Sequence, residues 1–72
     1  PYALWQEVVV LYAATKGYLD STEEKAVVEK VQSLFAVVES THQDLIKMID
    51  KDKKLTDEIE DSIKEIFAKF FA

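Results

Sequence analysis

Cysteine is absent from the 72-residue chain, which removes disulfide frameworks, Cys-ligated zinc, iron–sulfur clusters and thiol catalysis together. One glycine and one proline argue against a many-stranded β fold, which needs turn residues at regular intervals. With a single glycine, neither GxxxxGK[ST] nor GxGxxG can occur, so a glycine-rich phosphate cradle is excluded. Cationic surplus is also missing: nine lysines face fourteen Asp and Glu, a net charge of −5. A nucleic-acid binder rests on cationic neutralisation of phosphates and needs the opposite balance. The longest apolar run, Val8 to Ala14, is far shorter than the ~20 residues of a membrane span. No basic segment precedes it, so it does not read as a secretory signal. What is present in quantity is apolar residue, 49 % of the chain, too much for a disordered acidic tail. A core of this size supplies only roughly 3–5 kcal/mol of net stability. The first residue is Pro1 rather than Met, which favours a trimmed fragment of a larger protein.

The chain reads as one helical domain over residues 1–72, all-α, a small antiparallel bundle of three to four helices. The first helix is expected from about Ala3 to Lys16, with Leu4, Val8, Leu11 and Tyr12 at helical spacing. Val9, Val10, Ala13 and Ala14 make it apolar around most of its girth, as for a helix covered on several sides. The β-branched run Val8-Val9-Val10 suits a strand, but the flanking Gln6-Glu7 and Ala-Ala-Thr-Lys carry the pattern past strand length. Gly17 stands where this helix ends and supplies the left-handed residue that closes helices, with Tyr18 folding back on Ala13 or Tyr12. Ser21 and Glu24 have capping-box spacing and predict a second helix from about Glu23 to Glu39. Its stripe is Val27, Val31, Leu34 and Val38, widened by Val28 and Phe35. Ser40 and Gln43 repeat the capping-box spacing before a short third helix, about His42 to Asp50, burying Leu45, Ile46, Met48 and Ile49. The charged run Asp50 to Lys54 reads as an exposed turn. Thr56 then caps a fourth helix with Asp57 and Glu58 in its first turn. Ile59, Ile63, Ile66, Phe67, Phe70 and Phe71 form its apolar side.

Catalysis requires a nucleophile, an acid or base, and groups that align them. The one imidazole, His42, falls in a joint between helices and reads as a polar residue at a helix start. As a metal ligand it lacks a second His or any Cys, and Asp44 alone does not complete a site. Ser21, Ser33, Ser40 and Ser62 have no companion base. The Asp50-x-Asp52 start resembles a calcium loop with Asp61 at the right spacing. The loop's fifth position is Lys54, however, and its glycine position is Leu55, so a cation would meet a lysine. The pairs Asp57-Glu58 and Glu60-Asp61 lie among lysines and read as a solvated helix face. The closing Ile66-Phe67-Ala68-Lys69-Phe70-Phe71 could lie in a membrane interface. Only Lys64 and Lys69 are cationic there, which favours core packing. Trp5 is either a core aromatic or part of a surface that meets a neighbour. No catalytic, cofactor-binding or metal residue is therefore assigned.

The run Val10-Leu11-Tyr12-Ala13-Ala14-Thr15-Lys16-Gly17-Tyr18-Leu19-Asp20 resembles the C-terminal helical domain of the alpha subunit of F-type, rotary ATP synthases. That family ends a long helix in a hydrophobic–Tyr–Ala–small run leading into Gly-Tyr-Leu-Asp. The resemblance extends over the whole chain without a gap. His42-Gln43 falls where the family often has His followed by Pro or Gln. Asp52-Lys53-Lys54-Leu55-Thr56-Asp57-Glu58 is similar to the family's Asp-Gly-Lys-Ile-Ser-acid-acid turn before the last helix. Lys64-Glu65-Ile66 and the closing phenylalanines look like the natural end of that subunit. Ala3 stands where the family usually has Pro. Lys53 replaces the usual Gly, from which a different backbone route through that turn is expected.

The resemblance implies a structural and coupling module without catalysis of its own. Nucleotide and Mg would be held by an upstream domain of the parent subunit, and beta and gamma subunits would be its partners. The parent would be a peripheral membrane complex making ATP at the expense of proton transport, on the cytoplasmic face of a bacterial membrane or its organellar equivalent. Gly17, Tyr18, Leu19 and Asp20 match the family motif and are expected to form a helix-ending turn. The competing reading is a free-standing helical module that binds a partner helix in an apolar groove. If other helices normally cover the Val8–Ala14 region, the chain by itself exposes it, and self-association or a rearranged first helix follows.

Overall fold

The structure, a computed structural model, describes residues 2–72. Four α-helices follow one another: α1 (Leu4–Thr15), α2 (Val27–Thr41), α3 (Gln43–Asp52) and α4 (Asp57–Phe70). A single 3₁₀ turn, Glu24–Ala26, leads into α2. Among the described residues there is no strand, and the chain is an all-α small bundle.

α1 opens without a side-chain cap of its own, because alanine offers no acceptor. Instead the Gln6 side chain reaches back and accepts the Ala3 N–H at 2.8 Å. The helix closes as its sequence predicts. Gly17 has φ +82°, Tyr18 N–H donates to Ala13 C=O at 3.0 Å and Gly17 N–H donates to Ala14 C=O at 3.4 Å. This crossed pair satisfies carbonyls that the helix end leaves without partners.

The second helix starts later than its capping-box spacing suggests. Neither Ser21 nor Glu23 caps it: residues up to Thr22 form turns, the 3₁₀ turn intervenes, and α-helix begins at Val27 without a side-chain cap. At its other end α2 continues through Ser40 to Thr41. Ser40 Oγ donates to Val37 C=O at 3.4 Å and Gln43 Nε2 donates to Glu39 C=O at 2.7 Å, so no second capping box forms. The break is His42 alone, at φ −127° and ψ 47°. Its N–H closes α2 on Val38 C=O, and its C=O opens α3 by accepting the Leu45 N–H.

α3 also runs two residues beyond the expected Asp50, taking Lys51 and Asp52 out of the predicted turn. It ends at Lys53, whose φ of 55° is left-handed. The expectation of a different route through this turn is therefore not met: Lys53 adopts the conformation glycine takes most readily. Thr56 caps α4 as predicted, its Oγ1 accepting the Ile59 N–H at 3.2 Å.

The core joins all four helices, and α3 packs against each of the other three. Val9, Leu34, Val38, Ile49, Ile59 and Ile63 are fully buried. Trp5 belongs to this core, its ring 5.5 Å from Phe35 in an edge-on contact. The face of α1 that is buried is Trp5-Val9-Tyr12-Ala13. This departs from the expected Leu4-Val8-Leu11-Tyr12 by one position. Both sets keep helical spacing on so apolar a helix, and the bulkier aromatic set lies inward. Leu4 and Leu11 remain exposed, as does Val28 on α2, while Ile46 and Met48 of α3 are half-buried. Phe70 and Phe71 pack against the core, with Lys30 Nζ 4.9 Å from the Phe70 ring centre and 5.6 Å from that of Phe71. The Cα radius of gyration is 11.5 Å, matching the ~11 Å of a compact chain this long.

Candidate functional site

Three places combine polar groups, open space or conformational constraint: the turn at Gly17–Asp20, a groove between α3 and α4, and a groove beside α1.

The turn is organised by its aromatic residue. With Gly17 in the left-handed region, Tyr18 is thrown back across the end of α1, and its ring stacks on Tyr12 at 6.3 Å. The same ring meets Phe67 edge-on at 4.9 Å and Phe71 at 5.3 Å. Tyr18 thus fastens the end of α1 to the last turns of α4, with edge-on pairs contributing roughly 0.5–1.5 kcal/mol beyond area burial. Asp20 N–H and Thr22 N–H close successive turns on Gly17 and Leu19 carbonyls. A second fastening lies one turn earlier in α1. The Tyr12 hydroxyl donates to Glu60 Oε2 at 3.0 Å, across 48 residues of sequence. Burial, then the hydrogen bond and negative charge of Glu60, push the Tyr12 phenol up to about 12, because each opposes phenolate formation. Glu60 Oε2 also lies 3.9 Å from Lys64 Nζ.

The groove between the start of α3 and the last half of α4 has a volume of about 470 Å³ and contains His42, Asp44, Ser62, Glu65 and Lys69 over Leu45, Met48 and Ile66. It brings the sole histidine and one of the four serines into a common cleft. No hydrogen bond joins His42 to Ser62 among the described residues, and Asp44 and Glu65 orient neither. Nucleophilic catalysis needs a nucleophile–base bond and a third group holding the base. This arrangement supplies neither. Ser21, Ser33 and Ser40 are exposed elsewhere. Among the described residues no group of three His, Asp or Glu is disposed to hold a metal ion. The calcium-like run is divided between elements: Asp50 and Asp52 end α3, and Lys53 Nζ donates to Asp50 C=O at 2.9 Å.

The second groove, about 240 Å³, is lined by Val8, Leu11, Tyr12, Thr15 and Lys16 of α1 and its end, and by Leu55 from the α3–α4 joint. The helical stripe placed Val8 and Leu11 inward, whereas the wide apolar girth of this helix pointed to an open Val8–Ala14 surface; Leu11 is exposed and Val8 half-buried. The Tyr12–Glu60 bond and the α3–α4 cleft were invisible in the sequence, since each depends on residues brought together by the tertiary fold. Among the described residues no helix is long and apolar enough to cross a membrane.

Fold and site together define a small helical packing module with two fastened helix ends. Residues 1–70 match the family model described as ATP synthase alpha/beta chain, C terminal domain. The chain belongs to that family. It is 34 % identical over 70 residues to ATP synthase subunit alpha of Aquifex aeolicus (strain VF5), a match covering 97 % of this chain. That match spans only 14 % of the length of the relative. No solved structure matches the chain. The Gly-Tyr-Leu-Asp resemblance seen in the sequence accordingly falls within a family shared along nearly the whole chain.

Proposed function

We propose that this chain is the structural and coupling end of an ATP synthase alpha subunit and performs no catalysis of its own. The family match over residues 1–70 carries this reading. Tyr18 and Tyr12 support the mechanical part, because they bind α1 to α4 through the Gly17 turn and the Glu60 carboxylate. Close-packed interiors yield little under load, so force entering at one helix reaches the others as a rigid displacement. Nucleotide and Mg would be bound by another domain of the parent subunit. Beta and gamma subunits would be the partners, in a peripheral membrane complex where ATP synthesis is coupled to proton transport. That complex would lie on the cytoplasmic face of a bacterial membrane or its organellar equivalent.

The test is a chimera in which residues 1–70 replace the matching segment of the full-length Aquifex aeolicus alpha subunit. The chimera is expected to assemble and to support proton-coupled ATP synthesis. Gly17→Val in the same chimera, which disturbs the Tyr18 fastening, should lower assembly or coupling and leave nucleotide binding by the remainder of the subunit intact. A complex that synthesises ATP equally well with the segment deleted would overturn the proposal.

A further inference from the structure

α1 is helical by tertiary context more than by its own sequence. Val8 to Ala14 is the longest apolar run of the chain and contains no charge, glycine or proline. Its three valines lose side-chain freedom in a helix and pack well in a strand, and Tyr12 also suits a strand. The helix ends add little: Ala3 supplies no side-chain cap, and no basic residue stands in the last turn. Isolated helices shorter than about 12–15 residues are marginal in water, and α1 has 12. What holds it is its buried face, the Tyr12–Glu60 bond and the Tyr18 ring against Phe67. All of these are contacts with other parts of the bundle, so they are lost together when it opens. A domain this small has little stability to keep it shut.

We propose that residues 8–14 form a two-state segment: helix while fastened in the bundle, and antiparallel cross-β strand, paired with the same segment of other copies, once the bundle opens. An uncharged run of this length, rich in β-formers and free of proline and glycine, has the chemistry of a steric zipper. Successive side chains of a strand point to opposite faces, so both faces of the resulting sheet are apolar and can be dried against another sheet. The flanking charges set the direction of pairing. In a parallel, in-register stack Glu7 would lie on Glu7 and Lys16 on Lys16, which is repulsive. One antiparallel register instead places Glu7 opposite Lys16 at both ends, with Leu11 opposite Tyr12 and Val10 opposite Ala13 between them. The next longest apolar run, Leu34 to Val38, has five residues and stops at Glu39, short of the six or seven of a zipper. Residues 8–14 carry this second state independently of the role of the chain in a larger assembly.

The test is prolonged incubation of the 72-residue chain at neutral pH in urea just below its unfolding midpoint, followed by thioflavin fluorescence, fibre diffraction and infrared spectroscopy. Fibrils with reflections near ~4.7 and ~10 Å and an antiparallel amide band are expected. The amides of Val8 to Ala14 should be the best protected from hydrogen exchange within them. Leu11 and Ala36 are both exposed on helices, so Leu11→Lys and Ala36→Lys should each keep the circular dichroism of the parent chain. Leu11→Lys divides the run and places an ammonium in the dry sheet interface, which should lengthen the lag at least about tenfold. Ala36→Lys divides the Leu34–Val38 run and should leave the lag within about twofold. Each substitution removes one unit of negative charge from a chain at −5, which by itself favours association, so net charge does not account for a difference between them. Gly17→Ala loosens the Tyr18 fastening outside the run and should shorten the lag. A chain that stays soluble, a parallel sheet, a protected core that excludes residues 8–14, equal slowing by Ala36→Lys, or a lag indifferent to Gly17→Ala would each overturn the proposal.

Discussion

Lys53 and Gly17 share a backbone conformation, at φ 55° and 82°, but carry opposite side-chain consequences. A Cβ in the left-handed region costs roughly 1–2 kcal/mol, which Lys53 bears and Gly17 avoids. Lys53→Gly should relieve that strain, less the extra freedom a glycine adds to the unfolded chain. The expected net gain is about 0.5–1 kcal/mol. Gly17→Ala should do the reverse. The new Cβ would adopt a left-handed conformation and lie 3.2 Å from Asp20 Oδ2, forcing the carboxylate aside. A loss of about 1–2 kcal/mol is expected, a large part of the stability available to a domain this small. Urea unfolding distinguishes them, because the midpoints should move in opposite directions while the slopes stay equal. Gly17 was legible in the sequence because it is the only glycine and falls at the end of a helical pattern. Lys53 was not, because nothing in a lysine announces a positive φ. Only the geometry of α3, extended to Asp52 and closed by Lys53 N–H on Ile49 C=O at 2.8 Å, requires it.

Among the elements, similar sequence signals led to different outcomes, and tertiary context made the difference. Thr56, Ser21 and Ser40 all stand ahead of apolar-periodic segments with acid or amide residues following. Thr56 has extended backbone at φ −85° and ψ 166° and bonds to Ile59 N–H. Ser40 is still inside α2, where its hydroxyl donates to the Val37 carbonyl three residues earlier. Spacing alone therefore locates a cap only when the backbone has left the helix. Thr56→Ala should destabilise the chain by about 1 kcal/mol, and Thr56→Ser by much less, because serine retains the acceptor oxygen. Comparing the two by urea unfolding checks the assignment; equal losses would refute a role for the hydroxyl. The burial of α1 has the same lesson. Its residues are so uniformly apolar that two adjacent stripes fit the helical period equally well. The inward one is chosen by what it meets, Phe35 across from Trp5 and Phe67 across from Tyr12. α2 and α4, with cleaner separation of apolar and charged sides, were read almost residue by residue, Val28 excepted.

For the whole molecule, the all-α fold was legible because absence of turn residues and persistent helical periodicity point the same way. The tie that closes it was not: Tyr12 and Glu60 are 48 positions apart and neither is unusual in its local sequence. That tie makes stability depend on pH in a defined direction. The phenol is pushed up from 10.0 to about 12 by burial, then by the Glu60 bond and charge. The folded state thus holds the Tyr12 proton more tightly than the unfolded chain does. Its contribution is fully present below pH 10 and is lost as pH rises from 10 through about 12. Tyr12→Phe removes both the bond and this titration. Near pH 8 the variant should be less stable than the parent chain by about 1 kcal/mol, the usual net value of such a hydrogen bond. Above pH 10 the parent alone must meet the penalty of an ionising buried phenol beside a carboxylate, so the gap should narrow steadily. Urea unfolding of both chains at matched pH and salt gives the difference directly and cancels the other groups that titrate in the same range. A gap that stays constant to pH 11.5 would mean that the Tyr12 hydroxyl is not shielded in solution, and that the tie between α1 and α4 is made by the aromatic rings alone.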